Sequence, residues 1–182
     1  MNFQTQIPTA AVLGPALAVF ALVALVRHRR DAPGWRGGGP LALRIATALY
    51  AAAVASLTFF PLWVYGGDYR NQAEWISQIQ PVPLLMADIT MVPNVIMFMP
   101  LGFLLPLLLP RISRGRTVLT CALVSLGIEV TQLLQYIVLA NGRAVDVNDL
   151  IANTLGGLLG YAVLRAAQRT AATRTVLDKV SP

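Results

Sequence analysis

Three groups of polar residues stand inside otherwise apolar sequence, and these are the places where chemistry could be done. The first is Glu129, midway along an apolar run over 117–140, with Gln132 three residues on and so on the same helical face. Gln135 and Tyr136 extend that stripe. A charged carboxylate at the centre of a bilayer costs about 3 kcal/mol or more, so Glu129 is either protonated or faces a partner or a water-filled cavity. Interhelical hydrogen bonding accounts for such residues equally well, at about 0.6–2 kcal/mol a pair. The second group is Arg143-x-x-Asp146-x-x-Asp149-x-x-x-Asn153. Its spacing puts Asp149 and Asn153 on one helical face, with Asp146 at or just before the helix start. An Asp there can cap orphan backbone N–H groups, and Asp149 three residues later echoes a capping box. Capping explains neither Asn153, one turn deeper, nor Arg143. The third is Asn94, which opens the segment 94–103 among Pro93, Pro100, Pro106 and Pro110. Each proline frees the carbonyl one turn back, so this segment is expected to kink.

The chemistry open to these groups is narrow. Glu129 and Asp149 are the candidate catalytic residues, as general acid or base. Asn94, Gln132, Arg143, Asp146 and Asn153 are the candidate substrate-binding residues, with Arg143 suited to a phosphate or carboxylate. Glu129, Asp146 and Asp149 could in principle offer oxygen to a hard cation, but no metal or other cofactor is expected. His28 lies in a basic loop, and Cys121 is expected to pack rather than react. The chain has no nucleophile elbow and no phosphate-binding loop.

The elements that must position these groups follow from composition. Of 182 residues 56% are hydrophobic and 12% charged, half the charged share of a typical soluble domain. The mean hydropathy is +0.64. A disordered chain, a basic nucleic-acid-binding domain and an ordinary cytosolic enzyme are all excluded. A spanning helix needs about 20 apolar residues. Five stretches meet or approach that length: 8–26, 45–65, 91–110, 117–140 and a shorter, glycine-rich 150–164. The first has no Lys or Arg before its apolar run, the reverse of a signal peptide, and is expected to be a retained helix. Gly156-x-x-x-Gly160 has the spacing that lets two helices approach closely. Trp75 and Ile79, four apart in the loop 66–90, suit a short helix on the membrane surface. The expectation is a single membrane domain over 1–182, an all-α polytopic bundle of about five transmembrane helices.

The net charge of +6 is set by where the arginines fall. The loop 27–44 holds five basic residues, the turn 111–116 three and the tail from 165 four. The N-terminal segment holds none, and the loops 66–90 and 141–149 hold one each. Basic loops stay cytoplasmic, so the N-terminus is predicted outside and the C-terminus inside. Topology alone explains this charge. With that orientation Asn94, Gln132, Asp149 and Asn153 fall in the outer half of the bilayer, with Glu129 deepest. A cavity open to the outside would produce that shared depth.

The segment 94–103, Glu129-x-x-Gln132 and Arg143-x-x-Asp146-x-x-Asp149-x-x-x-Asn153-x-x-Gly156-Gly157, in this order, resemble the VanZ-like family of small bacterial membrane proteins over about 92–161. The resemblance implies a multi-pass protein of the bacterial cell membrane and an association with resistance to the glycopeptide antibiotic teicoplanin. It supplies no biochemical activity. Three functions are compatible with the residues. One is an envelope protein whose outward-facing polar pocket binds or modifies a lipid-linked or wall-related molecule. Another is a small proton-linked transporter or flippase using Glu129. The third is a structural module in which the polar groups only lock helices together. Membrane lipids and a lipid-linked envelope precursor are the expected partners, and nucleic acid is not.

Overall fold

A computed structural model describes residues 2–70, 73–83, 91–140 and 145–181. Its frame is five helices long and apolar enough to cross a membrane: α1 (Thr9–Arg29), α2 (Gly38–Phe59), α3 (Met91–Leu108), α4 (Arg114–Leu139) and α5 (Val147–Ala167). The all-α bundle expected from composition is what the chain forms. A sixth helix, α6 (Ala171–Val180), follows a turn after α5.

The helix ends differ from the apolar runs for local reasons. α2 starts at Gly38 rather than at residue 45, because Pro40 sits in its first turn, where the missing amide has no helical partner. It stops at Phe59. Residues read as its far end instead form strand β2 (Leu62–Gly66), which pairs antiparallel with β1 (Phe3–Ile7), Phe3 opposite Gly66 and Ile7 opposite Leu62. Trp63 and Tyr65 stack there with ring centroids 6.3 Å apart. α5 has 21 residues and is long enough to span, because its polar first turn is helical and capped by Asp146. The Trp75–Gln78 stretch is a single 3-10 turn with Trp75 and Ile76 exposed, and Ile79 already belongs to the next strand. That strand, β3 (Ile79–Gln80), pairs in parallel with β4 (Val145–Asp146).

The core is α3 against α5, with α4 packed beside them. A Cβ at Gly156 would fall on the Val95 carbonyl, and one at Gly160 on the Met99 carbonyl. The small-residue spacing therefore sets the backbones of α3 and α5 in contact. Phe98, fully buried, packs with Cys121 and Ile128 of α4. Tyr50 of α2 donates to the Met97 carbonyl at 2.8 Å, beside the kink-prone Pro100.

Each end of the bundle is tied by its own contacts. The two strand pairs gather β1, the end of α2, the loop before α3 and the start of α5 at one end. At the other, Leu43, Leu107 and Leu164 form a buried cluster that Leu177 of α6 covers. The basic turn before α4 and the basic segment between α1 and α2 lie at this second end. α1 touches little except α2, and Ala24 is its one buried residue.

Candidate functional site

The site is built where the first turn of α5 meets α4. Asp146 caps α5, its Oδ1 accepting the Asn148 amide at 2.8 Å. In a capping box the residue at Asp149 would accept the Asp146 amide in return. Here Glu129 of α4 takes that amide instead, with Oε2 at 3.2 Å. Asp149 is thereby free to reach another helix, and it accepts a short hydrogen bond from the Asn94 side-chain amide of α3. Three carboxylates thus surround one helix N-terminus, whose dipole favours negative charge. Asp146 and Asp149 both lie within electrostatic reach of Glu129. Among the described residues none of the three forms an ion pair.

Glu129 is ten residues before the end of α4, about 15 Å along the axis at 1.5 Å per residue. The start of α5 is therefore set well below the end of α4. The loop before α3 follows it down, since Gln80 pairs with Asp146. Higher up, the same loop is pinned to α4: Tyr136 donates to the Ala73 carbonyl at 2.6 Å, and Arg70 to the Ile137 carbonyl at 2.9 Å.

The remaining residues singled out from sequence lie on both sides of this centre. Asn153, 2% exposed, donates to Ser125 Oγ at 2.9 Å, while its own Oδ1 is buried with no partner among the described residues. Gln132 turns toward α2 and donates to the Thr58 carbonyl at 3.1 Å. Gln135 Oε1 is likewise buried and unpartnered among the described residues. Arg143 lies outside the described residues. The structure thus joins Asn94 to Asp149 and Glu129 to the backbone of Asp146. It holds Asn153 and Gln132 on neighbouring hydrogen bonds of their own. Among the described residues no three carboxylate, histidine or cysteine side chains converge as a metal-binding set.

Sequence reasoning missed Ser125 and the part played by Thr58. Ser125 stands one turn before Glu129, on a buried face of α4 that runs from Thr117 through Cys121, Glu129 and Gln132 to Tyr136. That four- and three-residue spacing was its available signal. The backbone pairing of Gln80 with Asp146 has no such signal, because strands of two residues carry no pattern.

Five apolar helices with a partly buried, carboxylate-rich cluster among three of them define a multi-pass membrane protein. A family model described as VanZ/LLP1 matches residues 47–168, and the chain belongs to that family. The match begins within α2 and ends just after α5, so it takes in all three helices that supply the cluster. Neither the curated proteins nor the solved structures yield a match.

Proposed function

We propose that this VanZ-family protein sits in the bacterial cell membrane with its N-terminus outside, and that the cluster is the floor of an outward-facing polar pocket. The pocket binds or modifies a lipid-linked or wall-related molecule of the envelope. One observation carries this reading: Asn94, Glu129, Asp146 and Asp149, from three helices, converge on the N-terminus of α5 without a basic partner among the described residues. Acceptors in that concentration suit the hydroxyl and ammonium donors of a sugar or peptide headgroup. Arg143, three residues before Asp146 in sequence, supplies the cation for a phosphate. Glu129 and Asp149 are the acid–base pair if the molecule is modified. Teicoplanin resistance is one phenotype this function would produce.

The test is a strain in which Glu129→Ala, Arg143→Ala or Asp149→Ala replaces the wild type. The expected outcome is the susceptibility and precursor profile of the deletion strain, with the protein level unchanged. Full activity in all three variants rejects the proposal.

A structural role has its own support, since most of these polar groups already hydrogen-bond one another. Thermal stability of the purified variants in detergent separates the two. Stability losses that track the activity losses favour the structural role. Transport finds no comparable support. Inward of the cluster the buried face of α4 is closely packed, with Cys121 against Gly157 and the Thr117 hydroxyl bonded back to the Ser113 carbonyl.

A further inference from the structure

A second built feature lies at the opposite, basic end of the molecule. Between α1 and α2 runs a groove of about 400 Å³ whose lining is apolar, including Phe20, Ala24, Leu41, Ile45 and Leu49. Trp35, 9% exposed, packs beside Phe20 of that lining, with ring centroids 6.4 Å apart. The Arg44 guanidinium lies 4.5 Å from the centroid of the indole, and that of Arg27 lies 5.9 Å away.

This stack is held in place. The Trp35 amide donates to the Ala32 carbonyl at 2.9 Å, and the Trp35 carbonyl is 2.9 Å from His28 Nδ1. Arg44 Nε donates to the Gly34 carbonyl at 3.0 Å. The segment 27–44 carries five arginines and one acid, Asp31, and among the described residues none of the five is in an ion pair. The Arg44 guanidinium is therefore fixed on the indole, with that of the exposed Arg27 close by and neither ion-paired, next to the Phe20 side of an apolar groove.

We propose that the groove and the Arg27–Trp35–Arg44 stack form a binding site for an anionic phospholipid. An acyl chain lies along the groove, and the phosphate is held by the two guanidinium groups, whose planar donors match phosphate oxygens. Charge complementarity selects this occupant. A helix from a second copy fits less well, since a cylinder 10–12 Å across fills about 400 Å³ with roughly one turn. The site is independent of the polar cluster and lies at the other end of the bundle.

Native mass spectrometry of the purified protein in detergent tests this, with phosphatidylglycerol, phosphatidylcholine and glycerol phosphate as probes. Phosphatidylglycerol should bind about tenfold or more tighter than phosphatidylcholine, as two arginines near a lipid phosphate imply. Glycerol phosphate, the headgroup without chains, should not bind at the same concentration; if it binds equally well, the groove takes no chain and the proposal fails. The double variant Arg27→Gln/Arg44→Gln should lose the preference. The pair Arg29→Gln/Arg30→Gln removes the same charge away from the stack and should keep it. Equal binding of the two lipids, or equal effects of the two double variants, overturns the site. Ala48→Phe, which fills the groove, should weaken lipid binding; a lost dimer with lipid binding intact assigns the groove to a second copy instead.

Discussion

The carboxylate of Glu129 accepts a hydrogen bond that a helix ordinarily settles within its own first turn. That substitution links α4 to α5 and releases Asp149 to link α5 to α3. Replacing Glu129 by Ala leaves the Asp146 amide without this acceptor, a loss of about 1–3 kcal/mol. Glu129→Gln keeps an acceptor oxygen, so thermal unfolding in detergent should place it much nearer the wild type than the Ala variant. A Glu129→Gln protein that is stable and inactive would separate the role of charge from that of packing. For Asn94 and Asp149, a double-mutant cycle on stability should return a coupling of about 0.6–1.7 kcal/mol, the range of membrane hydrogen bonds. Much of this was legible in the sequence. A carboxylate or amide within an apolar run must find a partner; spacing set Asp149 and Asn153 on one face, whereas Asp149 bonds to α3 and Asn153 to α4. Spacing could not say that Asp146 caps the helix while Glu129 answers for its amide, because that exchange depends on how far down α5 begins.

At the scale of elements, the backbones of α3 and α5 meet because no side chain intervenes at Gly102, Gly156 or Gly160. Gly160→Ala should destabilise the protein by about 1–3 kcal/mol, since its Cβ meets a backbone carbonyl that cannot move aside. Gly127, in the middle of α4, has open space where a Cβ would go. Gly127→Ala should be neutral or stabilising by up to about 1 kcal/mol, from helix propensity alone. Comparing the two melting temperatures checks the contact itself. The five helices were readable from apolar length, but their ends were not. Apolar runs carried on past Phe59 into β2 and stopped short of the polar first turn of α5, because hydropathy reports burial or lipid contact and not backbone geometry. α6 was hidden in a basic tail whose one apolar anchor, Leu177, gains meaning only once Leu43, Leu107 and Leu164 lie beside it.

For the whole molecule, the strand pairs and the leucine cluster fix which loops share an end, and the arginine distribution predicts which end faces the cytoplasm. Thr5→Cys and Ser181→Cys, each in a Cys121→Ala background, test the orientation. A membrane-impermeant maleimide should label the first in intact cells and the second only after lysis. The reverse pattern would turn the cluster toward the cytoplasm and remove the case for an extracellular substrate. The pairing of loops was invisible to residue counting, which sees only that polar segments alternate. From the alternation alone Asn94, Gln132, Asp149 and Asn153 are expected in one half of the bilayer, with Glu129 deepest.

The bond from the Asp146 amide to Glu129 also bears on biogenesis. As the nascent chain leaves the ribosome, α4 emerges before α5, with an acidic group at its middle and its acceptor role unfilled. Insertion of α4 alone carries the penalty of that lone group, about 2.5–3.5 kcal/mol on translocon scales. The Asp146 amide offsets part of that penalty, so α4 partitions into lipid more favourably as a hairpin with α5 than alone.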